Sequence, residues 1–405
     1  MLGIMSFHSE YDSQSYSNLP SFSSQPSLQS LPSLTSDRQY FLSTTSRQHH
    51  CLATLKGHTT YISSLTLAGK FLYSGSSDKE IRSWNRNPLD SEVIDQENLC
   101  NSVVAAGKGA VKSLVVLADK LFSAHQDHKI RVWRISSQEL DNQHQQKYTH
   151  LATLPTLGDR AFKILLPKNQ VQIRRHKTCT WVHHVDTVSA ISLSRDESLL
   201  YSVSWDRTLK IWRTSDFKCL ESIANAHDDA INAVAVSDDG DVYTGSADKK
   251  IKVWRKSTGE KKKHSLVGTL EKHNSGINAL ALSTDGYLLY SGASDRSIVV
   301  WEKDDDGGGD MVVLGALRGH KQSILCLVVV SDLVCSGSGD KTIRVWRCVD
   351  RNYCCLAVFE GHKGPVKCLT ATIDHHNSSE TSYLIYSGSL DCDIKVWQLH
   401  VPIDI

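Results

Sequence analysis

The sequence has neither a long apolar run nor an excess of charge of either sign. Its longest apolar run, Ile324–Val330, is far too short to cross a bilayer. The first thirty residues lack the basic start and uninterrupted apolar core of a secretory signal. We therefore expect neither secretion nor a membrane span. The formal net charge of +1 excludes a strong long-range attraction to nucleic acid or anionic membranes, so electrostatic recognition must come from local patches.

Cysteine pairs at the spacing of metal or redox sites are also missing. The eleven cysteines are an odd number, are scattered along the chain and include no Cys-x-x-Cys pair. This pattern favours reduced thiols in the cytosol or nucleus over a disulfide framework or a zinc site. Gly307-Gly308-Gly309 lacks the Gly-Lys-Ser/Thr ending of a phosphate-binding loop. We therefore predict that the protein uses no metal and no cofactor.

What the sequence does contain is one pattern that recurs seven times. In each repeat an Asp is followed six residues later by a Trp, and a Ser or Thr stands four residues before the Asp. Six repeats also have a His some twenty or more residues upstream of the Asp. The complete sets are His58, Ser74, Asp78, Trp84; His184, Ser202, Asp206, Trp212; His227, Thr244, Asp248, Trp254; His273, Ser291, Asp295, Trp301; His320, Ser336, Asp340, Trp346; and His362, Ser387, Asp391, Trp397. The second repeat has Ser123, Asp127 and Trp133, with Gly107 in place of the His.

Each repeat also has the composition of short β-strands. Apolar residues alternate with polar ones, as in Ile343-Arg344-Val345-Trp346, and β-branched residues are abundant. Units of roughly forty to fifty residues with four short antiparallel strands are propeller blades. The sequence therefore predicts an all-β, seven-bladed β-propeller of four-stranded antiparallel blades with almost no helix.

The repeated polar residues fit a structural network inside each blade. The Asp can accept hydrogen bonds from the imidazole and from turn amides, while the strand hydroxyl and the indole N–H satisfy the rest of the buried polar groups. Blade two has Gly107 where the others have His. We therefore predict that blade two is the least well tied of the seven.

The repeat resembles that of the WD-repeat family through Gly57-His58, Gly319-His320 and Gly361-His362, the Ser-Gly-Ser segments, the turn Asp and the closing Trp. The Trp is never followed by Asp, a surface departure from the family pattern. The resemblance extends from about Cys51 to the end of the sequence. It implies that His, Ser/Thr, Asp and Trp form a hydrogen-bonded tetrad in each blade. It also implies that residues 51–55 supply the outer strand of the last blade by pairing with residues 394–397, which closes the ring.

At a closer level the sequence resembles the plant JINGUBANG-type WD-repeat proteins. The similar segments are Thr153-Leu154-Pro155-Thr156-Leu157, Leu166-Pro167-Lys168-Asn169, Arg174-Arg175-His176-Lys177, Ser204-Trp205-Asp206-Arg207 and a Leu-Pro-Ser-Leu stretch near the amino terminus. This resemblance implies a regulatory, partner-binding role in plant development or signalling.

Two parts of the chain depart from the repeat, and the first is the amino-terminal tail. Residues 1–48 contain fourteen Ser, three Pro and only five Asp, Glu, Lys or Arg, a composition typical of disordered segments. We therefore predict a disordered Ser-rich tail over residues 1–48, followed by the propeller over residues 49–405. The spaced Leu and Pro in residues 28–34 fit either a docking or phosphorylation segment or an inert leader.

The second departure is a basic insertion at about residues 157–183. Between residues 157 and 184 it carries six Lys or Arg against one Asp, with aromatic residues interleaved. This composition fits a surface for nucleic acid or acidic protein segments. It also fits a solvated loop held by an apolar anchor.

Trp205 is the strongest candidate for a partner-binding residue. It stands immediately before a turn Asp, where the other repeats have Ser77, Gln126, Ala247, Ser294, Gly339 and Leu390. We predict that it forms an interaction site with Arg174, Arg175 and Lys177 of the insertion, since exposed Trp and Arg dominate binding hot spots. The alternative is that Trp205 packs against the insertion and anchors it.

Ser, His and Asp recur together as they do in hydrolases. Six complete sets at related spacing nevertheless indicate a structural role, because a catalytic site is needed only once. We therefore predict a monomeric, non-enzymatic scaffold in the cytoplasm or nucleus. Its expected partners are other proteins, such as transcriptional or signalling regulators, without direct contact to membrane or nucleic acid. The alternatives are an adaptor that contacts nucleic acid through the basic insertion and a substrate receptor for a ubiquitin ligase.

Overall fold

A computed structural model describes residues 31–35, 49–86, 102–140, 143–159, 170–174, 177–257, 263–304, 310–349, 352–374 and 381–401. Seven four-stranded antiparallel sheets follow one another along the chain, and a separate two-stranded hairpin precedes the third. One helical turn at residues 157–159 is the only helix in these ranges. No helix there could span a membrane. The predicted all-β, seven-bladed propeller is confirmed.

The strands of each blade run in chain order from the centre of the ring to its rim. Blade one contains β2 (Ile62–Ala68), β3 (Phe71–Ser76), β4 (Glu80–Asn85) and β5 (Ser102–Ala106). Blade two contains β6 (Val111–Leu117), β7 (Lys120–His125), β8 (Ile130–Leu140) and β9 (Gln143–Leu154). The hairpin is β10 (Gln170–Arg174) and β11 (Lys177–Thr180). Blade three contains β12 (Val188–Leu193), β13 (Leu199–Ser204), β14 (Leu209–Arg213) and β15 (Cys219–Ile223).

The remaining blades follow the same order. Blade four contains β16 (Ile231–Val236), β17 (Val242–Ser246), β18 (Lys250–Lys256) and β19 (His264–Glu271). Blade five contains β20 (Ile277–Leu282), β21 (Leu288–Ala293), β22 (Ile298–Lys303) and β23 (Met311–Leu317). Blade six contains β24 (Ile324–Val330), β25 (Leu333–Ser338), β26 (Ile343–Val349) and β27 (Asn352–Phe359). Blade seven contains β28 (Val366–Asp374), β29 (Thr381–Ser389), β30 (Ile394–Val401) and β1 (His49–Leu55).

The glycine of the Ser-Gly-Ser segments sets how closely neighbouring blades pack. A Cβ on Gly337 of blade six would lie 2.7 Å from Val366 Cγ1 of blade seven, and one on Gly75 of blade one would lie 2.4 Å from Val111 Cγ1 of blade two. Both valines are fully buried. At these two glycines the first strand of the next blade therefore packs directly on the backbone, where a side chain would leave no room.

The ring closes through the amino-terminal strand, as predicted. β1 pairs with β30 in antiparallel register, with Cys51 opposite Trp397 and Leu55 opposite Ile394. Leu55 is buried in the core that blades seven and one share. The first strand thus completes blade seven and removes an edge that would otherwise be open.

The predicted tail lies mostly outside the described residues, so its disorder stays a prediction there. Residues 31–35 depart from that prediction, because they lie against the rim of blades five and six. Leu31 is buried there, and its backbone neighbours pair with strand β23. A Ser-rich composition could not reveal this order, because the apolar surface that stabilises it lies almost three hundred residues further along the chain.

Candidate protein-binding face

The repeated polar residues form one hydrogen-bonded chain inside a blade. In blade six, His320 Nδ1–H donates to Asp340 Oδ2 at 2.9 Å, and Nε2 accepts from Ser336 Oγ at 2.8 Å. Trp346 Nε1–H donates to the same Oγ at 2.9 Å. Blades one, four, five and seven have the same three contacts at 2.7–2.9 Å. Each donor in this chain points towards the ionised Asp, so every polar group of the tetrad has a partner.

Blade three inserts a second hydroxyl into this arrangement. His184 Nδ1 lies 2.9 Å from Thr208 Oγ1 and 3.4 Å from Asp206 Oδ2, while Thr208 Oγ1–H donates to Asp206 Oδ1 at 2.6 Å. Burial opposes ionisation of Asp206, but His184 and the hydrogen bond from Thr208 outweigh it and lower the pKa of this carboxyl. The carboxylate thus stays charged in a nearly dry site.

Blade two obtains its imidazole from another position. His125, at the end of β7, donates from Nδ1 to Gly109 O at 3.0 Å and accepts at Nε2 from Ser123 Oγ at 2.8 Å. Trp133 Nε1–H donates to Ser123 Oγ at 2.9 Å. A Cβ on Gly107 would come within 3.3 Å of the His125 ring, so the missing His leaves the space that His125 fills.

The sequence already contained a signal that His125 takes the place of the His that blade two lacks. Two residues before the turn Asp, the other six repeats have Ser76, Ser204, Ser246, Ala293, Ser338 and Ser389, whereas blade two has His125. The prediction that blade two is least well tied rested on Gly107 alone. It overlooked an imidazole that reaches the same serine hydroxyl from within the blade. In blade two, Asp127 is the residue of the set that does not bind the imidazole, because it pairs with Arg131.

The tetrads are buried structural networks, and their geometry does not offer a catalytic nucleophile. Ser336 is fully buried, and Asp340 also accepts from Lys321 N at 2.8 Å and Thr342 N at 3.0 Å. In blade one, His58, Asp78 and Glu80 lie close enough to hold a metal ion. His58 is nevertheless bonded to Asp78 at 2.8 Å, and Glu80 accepts from Arg82 at 2.7 Å. These contacts already use the ligand atoms of the group.

Basic side chains surround the face that carries the turns between the second and third strands, which we call the upper face. The residue after the turn Asp has a positive φ of 66–74° in all seven blades. Five of these residues are exposed Lys or Arg, and no ion pair joins them within the described ranges: Lys79, Arg207, Lys249, Arg296 and Lys341. The upper face therefore presents cations that are available to a partner.

The opposite face, the lower face, carries the turns between the first and second strands and has a different balance. Four of its acidic side chains have basic partners. Asp238 pairs with Arg195 and Asp239 with Lys303. Asp241 binds Arg255 at 2.7 Å, and Asp332 binds Arg347 at 2.7 Å. The lower face thus carries several ion pairs, whereas the five cations of the upper face have no described ion pair.

Trp205 lies on the upper face and forms a cluster with two residues that the sequence did not single out. Its indole is 39% exposed. Lys112 Nζ is 5.5 Å from the centroid of that ring and 5.6 Å from the centroid of Tyr61, and it donates to Tyr61 Oη at 3.2 Å. We call Tyr61, Lys112 and Trp205 the aromatic–lysine cluster. It joins blades one, two and three through one ammonium group between two rings.

Lys112 occupies a position that has another task elsewhere in the ring. In blades one, three, four and five, the second residue of the first strand donates a hydrogen bond to the next blade. The donors are Ser63 to Val111 O, Ser189 to Ile231 O, Asn232 to Ile277 O and Asn278 to Ile324 O. Blade two has Lys112 here, and its side chain reaches instead to the two aromatic rings. Lys stands at this position in blades two and seven, as Lys112 and Lys367, so the sequence alone did not single out Lys112.

The side chains of the predicted partners of Trp205 in the insertion are outside the described part of the structure, so this pairing stays a prediction. Arg174 and Lys177 face each other across the β10–β11 hairpin, and Arg175 lies outside the described residues. No described contact joins Trp205 to this hairpin. The insertion is held instead by Trp181, whose ring packs against the core of blades two and three and whose carbonyl accepts from Lys210 Nζ at 2.6 Å. Trp181 thus fills the anchoring role that was the alternative for Trp205.

One known family model matches six segments of the chain. The family model "WD domain, G-beta repeat" matches residues 49–85, 175–213, 217–255, 264–302, 311–347 and 353–398, which is more than half of the chain. The chain belongs to the WD-repeat family. The matches omit blade two, the blade that lacks the usual His. WD-repeat propellers are generally non-enzymatic interaction scaffolds.

Individual relatives share only parts of their length with this chain. It is 37% identical over 109 residues to the small ribosomal subunit protein RACK1 of Drosophila melanogaster, covering 26% of this chain and 32% of that protein. It is 23% identical over 184 residues to the ribosome biogenesis protein YTM1 of Eremothecium gossypii, covering 42% and 40%. It is 25% identical over 357 residues to the 66 kDa stress protein of Physarum polycephalum, covering 85% and 47%. The chain thus spans less than half the length of these relatives.

Proposed function

We propose that this propeller is a scaffold that binds an acidic segment of a partner protein on its upper face, centred on the aromatic–lysine cluster. The observation that carries the proposal is the exposed Trp205 ring with Lys112 beside it. An acidic side chain of the partner would pair with the ammonium group while an apolar neighbour covers the indole. Tryptophan at such a position is typical of binding hot spots.

The surroundings of the cluster support an acidic and partly apolar ligand. Arg207 is exposed two residues after Trp205 in the same turn. Val185, 39% exposed in the adjoining loop of blade three, extends the apolar surface. A carboxylate that reaches Lys112 or Arg207 gains a charge-assisted hydrogen bond. On the lower face, Arg195, Lys303 and Arg255 are already in ion pairs.

Protein is favoured over nucleic acid because the upper face also carries acidic side chains. Asp186 in the loop before blade three, and Asp228 and Asp229 in the loop before blade four, are exposed there. They would repel a continuous phosphate backbone, whose binding depends on many cationic contacts. A protein segment with acidic residues at chosen positions avoids this repulsion.

The proposal is tested by comparing two exposed residues at equivalent positions. Trp205 precedes the turn Asp of blade three, and Leu390, 42% exposed, precedes that of blade seven. The amides of both donate to the loop before their own blade. Affinity purification of the full chain should lose its main protein partner with Trp205→Ala and keep it with Leu390→Ala. Equal capture by both variants would place the binding site elsewhere.

Two further variants sharpen the test. Lys112→Gln keeps a polar side chain but removes the charge, so it should weaken capture and reduce its dependence on salt. The triple change of Arg174, Arg175 and Lys177 to Glu reverses the charge of the insertion. Loss of nuclease-sensitive, strongly salt-dependent binding in this triple variant, with Trp205→Ala unaffected, would favour the adaptor that contacts nucleic acid.

The identity of the partner is the finer part of the proposal. The resemblance to plant JINGUBANG-type proteins supports a developmental or signalling regulator, bound by a monomer in the cytoplasm or nucleus. All nine described cysteines are free thiols, which supports a reducing compartment. Two relatives are named for the ribosome, which supports ribosomal proteins as the competing class of partner. Mass spectrometry of the Trp205-dependent fraction separates these classes.

A further inference from the structure

A short piece of the amino-terminal tail lies on the rim of the propeller, far from the upper-face site. Leu34 N donates to Ala316 O at 3.0 Å, and Ala316 N donates to Pro32 O at 3.0 Å. Tyr353 N donates to Leu34 O at 2.9 Å. The piece therefore pairs in parallel with β23 of blade five and with β27 of blade six. It bridges the free outer edges of two neighbouring blades.

Two leucines fix this piece at separate places in the core. Leu31 is 8% exposed and belongs to the apolar cluster of blades four and five, together with Met311. Leu34 packs against the cluster of blades five and six, which includes Leu317. Between the leucines, Pro32 and Ser33 are exposed. The contact thus selects the first and fourth residues of an extended peptide and leaves the second and third free.

The fifth residue adds a polar contact. Thr35 Oγ1 accepts from Arg318 N at 3.1 Å, and its hydroxyl lies 3.5 Å from Arg318 O. The guanidinium of Arg318 donates to Leu31 O at 3.4 Å. Main-chain pairing supplies affinity and the side-chain contacts supply selectivity, as in peptides that bind by strand addition.

Because Gly315 has no side chain, residues 31–35 can lie directly against its backbone. A Cβ at Gly315 would lie 2.6 Å from Leu34 Cγ and 2.8 Å from Pro32 O, and the nearest atoms all belong to the tail. At the same register, opposite the residue before the third-strand Trp, the other blades have Ala53, Ser102, Ala152, Glu221, Gly268 and Ala357. Five of these six positions carry a side chain, so the strand backbone accepts one there. At Gly315 the tail occupies the space that a side chain would need.

We propose that the seam between β23 and β27 around Gly315, the rim seam, is a peptide-binding site. Its ligand is an extended segment with Leu at the first and fourth positions and Thr at the fifth, and residues 31–35 of this chain are the resident ligand. The seven sheets are complete without this piece. Because the ligand is tethered to the propeller, a peptide from outside must compete with a high effective concentration.

The first experiment compares two alanine variants of the full chain by amide hydrogen exchange. Gly315→Ala should raise the exchange rates of the Leu34 and Tyr353 amides at least tenfold, because the added methyl group displaces the tail. Gly268→Ala is the matched control, since its Cβ would meet only Val253, at 3.6 Å. Its exchange at Leu34 should equal that of the wild type. Exchange at Leu34 as fast in the wild type as in Gly315→Ala would overturn the proposal.

The second experiment tests the rim seam from outside. The full chain with Leu31→Asp and Leu34→Asp has an intact seam but a disabled resident ligand. A fluorescein-labelled peptide of residues 26–38 should bind it at least tenfold more tightly than it binds the wild type, and adding Gly315→Ala should abolish binding. Absence of anisotropy change with the double variant would refute the site. Trp205→Ala should leave both experiments unchanged, so this result is independent of the proposed function.

Discussion

Blade six and blade two form the same serine–imidazole–indole contacts with histidines from different positions. In both, a strand serine accepts from the indole N–H of the third-strand tryptophan and donates to an imidazole. In blade six the imidazole comes from the loop before the blade and donates to Asp340. In blade two it comes from within the blade, as His125, and donates to the backbone carbonyl of Gly109.

The comparison shows which part of the tetrad the fold requires. The serine, imidazole and indole are retained in both blades, so satisfying these buried groups is what matters inside the sheet. The carboxylate can be released from the imidazole when a backbone carbonyl accepts in its place. Asp127 then binds Arg131 instead, and its side chain is 22% exposed compared with 9% for Asp340.

The tryptophans should show the largest difference between the two blades. Trp346 is 1% exposed, whereas Trp133 is only partly buried. We expect Trp346→Ala to lower the free energy of unfolding by about 3–5 kcal/mol, as for a fully buried aromatic residue. Trp133→Ala should cost clearly less. Chemical denaturation of both variants measures this, and equal losses would remove the distinction in packing between the blades.

The carboxylates should differ by a smaller amount. Asp340 accepts from His320 and from the amides of Lys321 and Thr342, so Asp340→Ala leaves the buried His320 and two backbone donors without this partner. We expect a loss of about 2–3 kcal/mol, the range for hydrogen bonds to a charged group. Asp127→Ala removes a partly exposed ion pair and should cost about 1 kcal/mol or less. If Asp127→Ala lowers the free energy of unfolding as much as Asp340→Ala, then the Asp is as important in blade two as in blade six, and this interpretation is wrong.

The smallest effect concerns pH. Burial, reinforced by the positive charge of Arg131, lowers the pKa of His125 to about 4. The unfolded chain takes up this proton near pH 6.5, so between pH 6.5 and 4 it holds more protons than the folded chain. Stability therefore falls as the pH falls through this window, and His125→Gln removes that contribution. We expect the variant to lose about 1–2 kcal/mol less than the wild type between pH 7 and pH 5.

Urea unfolding at both pH values provides this measurement. The variant is expected to be less stable than the wild type at pH 7, because Ser123 and Gly109 lose their imidazole partner. Only the difference between the two pH values tests the protonation argument. Parallel losses in wild type and variant would mean that His125 does not titrate in this window.

The fold was predictable because each copy of the repeat specifies the strands and the turn of one blade. Asp and Trp six residues apart fix the turn and the third strand, and alternating apolar residues fix the pleat. These are local periodic features, and seven copies reinforce one another. The closing strand was implied by the resemblance to the WD-repeat family, and residues 51–55 do pair with β30.

The sites were less predictable because they depend on residues from separate blades. Trp205 stood out as a break in the repeat, but Lys112 and Tyr61, which complete its cluster, come from blades two and one. Arg174 and Lys177 stood out as basic residues of the insertion, and their pairing with Trp205 stays a prediction. Composition identifies unusual residues, whereas the curvature of the ring decides which of them meet.

The sequence by itself therefore determined the number of blades and their strands, because those depend on spacing within one repeat. Tertiary structure alone decided that Lys112 lies between two aromatic rings and that residues 31–35 occupy the rim seam. Each of these contacts joins parts of the chain whose separation no periodicity encodes. Their energy comes from burial and hydrogen bonding that exist only once the blades have packed together.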